Sequence, residues 1–542
     1  MPPDSNAIHF HALDGSVPLA EILKLAPPPF QRPERVFAQI KYLEDYIRRP
    51  DTIPLPKRTV AVEEHYVDRD FMSDHSSLFA STLRPPPNHC RRVHFFGGKT
   101  ADVSDRLVKL GELLTSQDVN HREEYVRQCS EFSEAHYLGF AVIRPLGACP
   151  VGRTVLRLLP HKKDEDGSIR VMNCTRDYQI HFMGVMLQIR GLAFQQQDLG
   201  VSRCSTIALW SALHKAGQKE HLSAATPADI TNRASRYRLP FGRPMPSEGL
   251  AVEQMCLALQ SLGVAPFLGK VGSFEQGRSL IFSATLSTMP CVLAMEFTGD
   301  PGLWHAVTVV GMKLSNTHEV CLLEPGNPGA GDDDSGDLKA LYVHDDRVGP
   351  YLRAEILRSG SQLRVRLNVE GHAAHGVIQE WIVRQVLIPT HVKVRVSFND
   401  LRSLFRQAIL PDIQKTVAAT KIKDLTSLPK VDETTPELPT VRFRCWIERG
   451  FRYVQRVLEE QLLSPDGLLR FRTEHLLSRY AGIIRCSSET FGQIDVLVDT
   501  TSPRPNYAWL AVVAKEGADD QGNLRNIIAE YLADKCDCVR FK

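Results

Sequence analysis

Residues 195–217, QQQDLGVSRCSTIALWSALHKAG, change character at a single position. The part before Cys204 is polar and rich in glutamine. After Cys204, apolar residues recur at helical spacing until Gly217 ends the run. The pattern therefore predicts a loop that ends at Cys204 and a helix that begins there.

A cysteine at the start of a helix has a chemical consequence. The first amide hydrogens of a helix have no partner within the helix, and they favour a negative charge nearby. The thiolate is the reactive form of cysteine, so this position is expected to lower the pKa of Cys204. The plainer alternative is a buried thiol that serves only packing, which is common for free cysteines.

Length and composition limit the class of protein. The chain has 542 residues, and domains of about 100–200 residues suggest three or four units. Hydrophobic residues make up 43% and charged residues 24%, which excludes a fully disordered chain. The net charge of +2 gives no general attraction to nucleic acid, so no nucleic-acid partner is expected.

Targeting and metal-binding signals are weak. No apolar run approaches the ~18 residues that a membrane span needs. The first residues, MPPDSNAIHFHALDG, do not resemble a secretory signal. A cytoplasmic protein without a membrane span is therefore expected. The twelve cysteines include no CxxC pair, so neither a structural metal nor a cofactor is expected.

Helix-like and strand-like segments alternate along the chain and predict a multidomain α/β (α+β) fold. The segment HVKVRVSF (391–398), for example, alternates as a strand would. The predicted units are an N-terminal helical lead-in at 1–56, an α/β domain of unknown role at 57–175, the domain that contains Cys204 at 176–365, a connecting α/β segment with a polar linker at 366–435, and a C-terminal α/β domain at 436–542.

Candidate partners for the thiol follow in order along the chain. His305 begins the strand-like HAVTVVG, and Asp345 and Asp346 end the strand-like ALYVHDD. An imidazole can take the thiol proton, and a carboxylate can orient the ring. Gln197 could donate its amide to an oxyanion, together with the Cys204 backbone N–H. The alternatives are a core histidine and two aspartates that open a turn.

This order resembles that of the papain-like cysteine peptidases, and more closely that of the double-glycine leader peptidases attached to bacteriocin exporters. The likeness covers roughly residues 180–355 and includes PCVLA (290–294) and HAVTVVG (305–311). It implies a papain-like domain, with a catalytic cysteine at a helix N-terminus and His and Asp on antiparallel strands. It also implies a peptidase that cleaves a peptide or isopeptide bond in a protein substrate. The catalytic residues would be Cys204, His305, Asp345 and Gln197.

Three positions depart from the family pattern. Ser205 stands where glycine usually follows the cysteine, and Asp198 stands at the usual glutamine position. Glu324 lies at the usual distance of the acid from the histidine. Asp345 is nevertheless the preferred acid, because it ends an apolar strand; Asp346 is the next choice and Glu324 the last.

Two other functions remain open at this stage. A Cys-dependent acyltransferase would use the same residues, with an amine in place of water. A non-catalytic scaffold with a relic papain-like domain would explain the departures at Ser205 and Asp198.

Two further motifs are set aside. HFFGGKT (94–100) lacks the first glycine of a phosphate-binding loop, since Val93 stands there. In EEHYVDRDFMSDH (63–75), metal binding through His65, Asp68 and Asp70 is conceivable, but a strand end followed by a solvated charged turn is preferred.

Overall fold

The structure is a computed structural model, and the described residues contain both helices and strands, which gives the mixed α/β fold that the sequence predicts. No described helix is both long enough and apolar enough to cross a membrane. The described residues are 8–27, 37–115, 119–160, 167–198, 200, 203–220, 222, 224–237, 249–315, 332–367, 379–425, 441–474, 477–501, 509–514, 520–535 and 539–541.

An antiparallel sheet in the order β1-β2-β3-β4-β5 organises the N-terminal part. Alternation along β2 sends Val60 and Val62 to one core, which helix α2 covers, and Ala61 to another, which helices α4 and α5 cover. Strand β1 pairs with β2, so the predicted lead-in contributes a strand as well as a helix. The strands are β1 Ile8–Ala12, β2 Arg58–Tyr66, β3 Cys90–Gly97, β4 Tyr137–Ile143 and β5 Val151–Leu156; the helices are α1 Leu19–Ile22, α2 Ala38–Arg48, α3 Arg69–Ser77, α4 Thr100–Thr115 and α5 Val119–His136.

The middle part of the chain forms a closed barrel. Its strands follow the order β10-β11-β13-β14-β15-β16, and a further pairing between β10 and β16 closes the ring. Leu293 and Val307 point into the barrel core, whereas Val292 and Ala306 face the helices outside. The strands are β6 Ile169–Val171, which pairs with β11; the hairpin β7 Arg176–Phe182 and β8 Val185–Gly191; β9 Ala265–Lys270, which pairs with β16; β10 Val292–Phe297; β11 Trp304–Leu314; β12 Asp332–Asp333; β13 Leu338–Asp345; β14 Gly349–Ser359; β15 Gln362–Leu367; and β16 Gln379–Thr390.

The helix that begins at Cys204 packs against the outside of this barrel. The Thr308 hydroxyl on β11 donates a 2.6 Å hydrogen bond to the carbonyl of Ala208 and so fixes the strand to the helix. Thr226 caps the next helix through a capping box. The helices are α6 Cys204–Glu220, α7 Pro227–Ala234, α8 Val252–Ser261 and α9 Phe274–Leu286.

The C-terminal part contains a sheet in the order β12-β17-β18-β19-β20-β21. A buried pair, Arg485 and Asp495, joins β18 to β19 with a 2.7 Å contact. The strands are β17 Arg442–Arg449, β18 Tyr480–Ser488, β19 Gly492–Asp499, β20 Trp509–Ala514 and β21 Val539–Phe541; the helices are α10 Phe398–Leu404, α11 Leu410–Leu425, α12 Gly450–Glu459, α13 Pro465–Glu474 and α14 Asp520–Lys535.

The strand predicted at HVKVRVSF is wrong. Residues 391–397 form a loop with a turn at 392–393, and α10 begins at Phe398. The backbone N–H of Arg395 donates to the Thr500 carbonyl at 2.7 Å, but no ladder of such bonds follows among the described residues. The alternating valines do not share one buried face, because Val396 is buried and Val392 is exposed.

Candidate active site

Cys204 is the first residue of α6, where the sequence predicts the loop to end. Its side chain is half-buried and packs against the core shared by α6, α7 and α8. The predicted position of this cysteine at a helix start is therefore confirmed.

The predicted lowering of the Cys204 pKa is wrong. Burial raises the pKa of the thiol to about 12, and the nearby charge of Asp346 raises it further. Hydrogen bonds from the backbone at Ala306 and Ser205, and the charge of Arg347, act in the opposite direction but do not compensate. Removal from water outweighs the helix N-terminus here, so the isolated thiol is protonated at neutral pH.

His305 and Asp345 meet on neighbouring antiparallel strands. The β11–β13 register, in which Thr308 lies opposite His344, places His305 and Asp345 at the same end of the two strands. By alternation, the side chains of His305 and Asp345 lie on the face that points into the barrel core. The His305 ring is almost fully buried, and its Nε2 lies 3.1 Å from Asp345 Oδ1. The ring of Trp381 packs beside the imidazole at 5.4 Å between centroids. A bond to Asp345 through Nε2 leaves Nδ1 as the ring nitrogen that can take a thiol proton.

Arg347 keeps Asp345 ionised. Burial alone would raise the pKa of Asp345, but the charge of Arg347 and the hydrogen bond to His305 together bring it well below its usual range. The Arg347 backbone N–H donates to Oδ1 at 3.0 Å, and the guanidinium reaches Oδ2 at 3.4 Å. The guanidinium also lies over the Trp381 ring, 5.0 Å from its centroid. The carboxylate beside His305 is therefore charged and held in place.

Asp346, the second candidate acid, has a different environment. It is 3% exposed, and neither carboxylate oxygen has a hydrogen-bond partner. Its Oδ1 lies 3.7 Å from His305 Nε2, too far for a hydrogen bond. Burial, and then the charge of Asp345, raise the pKa of Asp346 well above its usual range. Of the two aspartates, only Asp345 has the geometry of a partner that orients the ring.

Cys204 and His305 open onto the same cavity of about 300 Å³. Its wall is mostly apolar and comes from α8, the start of α6, and the strands β10, β11 and β16. The described lining residues are Cys204, Ser205, Leu250, Ala251, Val252, Glu253, Met255, Ala294, Trp304, His305, Ala306 and Gln385.

Gln197 is not among the described residues that line this cavity. Its neighbour Asp198 is fully buried, with Oδ2 3.6 Å from the Arg144 guanidinium. Asp198 therefore belongs to a buried ion pair. Glu324 lies outside the described residues, as do residues 199, 201 and 202 between Gln197 and Cys204.

Sequence reasoning missed the roles of Ser205 and Arg347. The Ser205 hydroxyl accepts a 2.7 Å hydrogen bond from the backbone N–H of Leu250, so it joins the start of α6 to the segment that leads into α8. No pattern in the sequence indicates this bond. Arg347 could have been noticed, because a cation directly after two acids on a buried strand is a natural counter-charge.

The turn predicted to be solvated at residues 63–75 is partly buried. Asp68, Asp70 and Asp74 are each at most 4% exposed, and Arg153 lies 2.8 Å from Asp68 Oδ2 and 3.8 Å from Asp70 Oδ2. Asp68 also caps α3, through bonds from the N–H groups of Asp70 and Phe71. The ion pair with Arg153 explains how charged residues are accommodated here. His65 is exposed, and its ring packs against that of another histidine instead of joining these aspartates.

The raised pKa of Asp70 predicts that the stability of the folded protein depends on pH. Burial, partly offset by Arg153, raises the pKa of Asp70 to about 7 in the folded protein. The folded state therefore keeps a proton that the unfolded chain loses near pH 4, and stability falls as pH rises from about 4 through 7. We expect Asp70→Asn to remove a penalty on the order of 4 kcal/mol at pH 8.

Thermal transition midpoints of both proteins at pH 5 and pH 8 test this expectation. The midpoint of the Asp70→Asn protein should fall less between the two pH values than that of the unsubstituted protein. Asp300→Asn, which replaces an exposed carboxylate, is the matched control and should leave the difference unchanged. Equal losses in the Asp70→Asn and unsubstituted proteins would show that Asp70 does not titrate in this range.

The fold and the site define a class: a mixed α/β protein with a Cys-His-Asp arrangement beside an apolar cavity. Comparison with protein-family models finds no family that matches, and comparison with curated proteins finds no significant match. The resemblance to papain-like peptidases therefore rests on the residues themselves.

Proposed function

We propose that the chain is a papain-like cysteine peptidase that hydrolyses a peptide or isopeptide bond in a protein substrate. One observation carries the proposal: His305 is hydrogen-bonded to a buried, charged Asp345 and opens onto the same cavity as Cys204 at the start of a helix. A nucleophile, a base and a group that orients the base are the parts that covalent hydrolysis requires.

In the first step, the Cys204 sulfur attacks the substrate carbonyl carbon while His305 takes the thiol proton at Nδ1. The raised pKa of Cys204 makes this transfer essential, because a thiol with a pKa of about 12 has a thiolate fraction of only about 10⁻⁵ at pH 7. Asp345 accepts the Nε2 hydrogen bond and stabilises the imidazolium that forms.

In the second half of the reaction, His305 returns the proton to the leaving amine, and the C–N bond breaks. A thioester on Cys204 remains. Water then attacks the thioester with His305 as base, releasing the acid product and regenerating the thiol.

The oxyanion needs donors near Cys204. The backbone N–H groups at the start of α6 are suitable, because a helix leaves its first amides without intrahelical partners. The side chain of Gln197 is a second proposed donor, although it does not line the cavity beside Cys204.

The cavity supports a substrate with a medium-sized apolar side chain next to the scissile bond. Leu250, Val252 and Met255 form one wall, and Ala294 and Ala306 the other. These two alanines are register partners on the neighbouring strands β10 and β11, so a larger side chain at either position would fill the cavity.

Ala294→Leu should reduce kcat/KM for peptides with a large apolar side chain by about 10-fold or more, because three added carbons occupy the space that the substrate uses. Alkylation of Cys204 by a small electrophile should change little, because the thiol and His305 are untouched. Kinetics with a series of peptides whose apolar residue increases in size would measure the effect. An equal loss for small and large side chains would argue against this use of the cavity.

Trapping the covalent intermediate tests the function itself. The protein is incubated with a peptide mixture, with and without an added primary amine, and Cys204 is analysed by mass spectrometry. A peptidase forms a thioester on Cys204 and releases acid products, whereas an acyltransferase releases amides when the amine is present. A thioester absent under all conditions would contradict both activities.

One observation favours a second candidate, the non-catalytic scaffold. Burial raises the pKa of Cys204 instead of lowering it, as expected of a thiol that serves only packing. The two candidates differ in one respect: a scaffold has no use for His305 as a proton acceptor, so substitution of His305 would leave the reactivity of Cys204 unchanged.

A further inference from the structure

The carboxylate of Asp346 is unusual among the buried groups near the site. Both of its oxygens lack a hydrogen-bond partner, although the residue is 3% exposed. A buried carboxylate without a partner is costly, and native proteins rarely keep one. Its Oδ1 points toward His305 Nε2 at 3.7 Å, so the group is directed into the space that His305 and Asp345 share.

These three side chains have the spacing of metal ligands. One ligand atom from each of His305, Asp345 and Asp346 lies within 4.8 Å of the others, an arrangement found nowhere else in the described part of the chain. Nε2 lies 3.1 Å from Asp345 Oδ1 and 3.7 Å from Asp346 Oδ1. Tetrahedral Zn²⁺ with bonds of about 2.0–2.2 Å places its ligand atoms roughly 3.3–3.6 Å apart.

The donor set favours zinc over the hard cations. Imidazole nitrogen and carboxylate oxygen are both Zn²⁺ ligands, and zinc sites with three protein ligands hold water in the fourth position. Ca²⁺ requires six or more oxygen ligands, and Mg²⁺ near-octahedral oxygen coordination.

Hydrogen bonds already hold the carboxylate of Asp345 and the backbone of Asp346. The Arg347 N–H donates to Asp345 Oδ1, and the Gln39 amide donates to the Asp346 backbone carbonyl at 2.6 Å. Such outer hydrogen bonds orient the ligands of metal sites.

From these contacts we infer that His305 Nε2, Asp345 and Asp346 bind Zn²⁺ and that the ion inhibits the proposed peptidase. The inhibitory part rests on the proposed function. A neutral imidazole that gives its Nε2 lone pair to zinc carries its hydrogen on Nδ1. Nδ1 is the atom that must accept the thiol proton of Cys204, so the bound ion fixes the ring in the tautomer that cannot act as base.

Equilibrium dialysis of the metal-free protein against Zn²⁺ tests the site. The unsubstituted protein and Cys204→Ser should bind one equivalent with similar affinity. Asp346→Asn should lose at least about 10-fold in that affinity. Equal binding by Asp346→Asn, or loss of the equivalent in Cys204→Ser, would overturn the assignment.

X-ray absorption on the zinc-loaded, unsubstituted protein is a test that does not depend on how a variant folds. A first shell of nitrogen and oxygen that includes one imidazole supports the site, and a sulfur neighbour contradicts it.

Alkylation of Cys204 separates the two proposals. In the metal-free protein, rapid alkylation that one equivalent of Zn²⁺ slows at least about 10-fold supports inhibition through His305. If alkylation is slow without metal while zinc still binds, the peptidase proposal fails, the cation site stands, and the inhibitory role is refuted. If alkylation is rapid and zinc at full occupancy does not slow it, inhibition fails alone.

Discussion

Cys204→Ala is expected to abolish peptide hydrolysis, with a loss of at least about 10⁴-fold in kcat. The alanine removes the only group in the proposed mechanism that forms the covalent bond. The remaining groups, His305 and Asp345, cannot replace it, because neither is positioned to attack the carbonyl in its place. Hydrolysis of the best peptide found in the trapping experiment, followed by chromatography, would measure the loss.

Cys256 provides the matched control. Like Cys204 it is a half-buried free cysteine whose pKa is raised by burial, but it lies within α8 and is not among the described residues that line the cavity. Cys256→Ala should keep nearly full activity. If both variants keep it, hydrolysis does not pass through Cys204.

Asp345→Asn is expected to reduce kcat by about 10³–10⁴-fold. The asparagine amide can present a hydrogen to Nε2 and so stabilise the tautomer that cannot accept the thiol proton. It also removes the charge that stabilises the imidazolium. Asp346→Asn should cost far less, because its carboxylate makes no hydrogen bond to the ring. Steady-state kinetics of the two single variants would measure the difference.

Two controls make that comparison decisive. Thermal unfolding shows whether Asp345→Asn keeps the fold, because this variant leaves the Arg347 guanidinium with a neutral neighbour. Glu324→Gln is measured in parallel, since Glu324 has the family's usual distance from the histidine. If Glu324→Gln causes the large loss of kcat and neither aspartate substitution does, the assignment of the third catalytic residue to β13 is wrong.

Local sequence patterns were sufficient to predict the secondary structure around the three central residues of the candidate site. Cys204 stands where polar residues change to helical periodicity, and a helix begins there. His305 and Asp345 stand at the ends of apolar segments that alternate with period two, and both segments form strands. Tyr342 lies in a different core from Leu341 and Val343, as alternation along a strand requires. Each of these predictions depends on a few neighbouring residues.

The closure of the barrel could not be predicted in this way. Strand β16 pairs with β10 from a position far along the chain, and nothing in either strand specifies the other as its partner. Trp381, which packs beside His305, comes from β16 and was missed for the same reason. Non-local pairing is decided by the packing of the whole barrel.

Electrostatic predictions failed where burial is strong. The helix start predicted a low pKa for Cys204, but the surrounding protein removes the thiol from water and raises the pKa. The same limit applies to Asp68 and Asp70, whose sequence looks solvated and whose carboxylates are buried with Arg153. A charge in the sequence does not reveal how much water will reach it.

The central claim is that His305 activates Cys204, and the rate of Cys204 alkylation by iodoacetamide in the unsubstituted and His305→Ala proteins tests it most directly. The account predicts rapid alkylation at pH 7 in the unsubstituted protein and a decrease of several orders of magnitude without the imidazole, because a thiol with a pKa of about 12 then has no proton acceptor. Equal rates in the two proteins, each rising only at strongly alkaline pH, would contradict the claim and favour the scaffold.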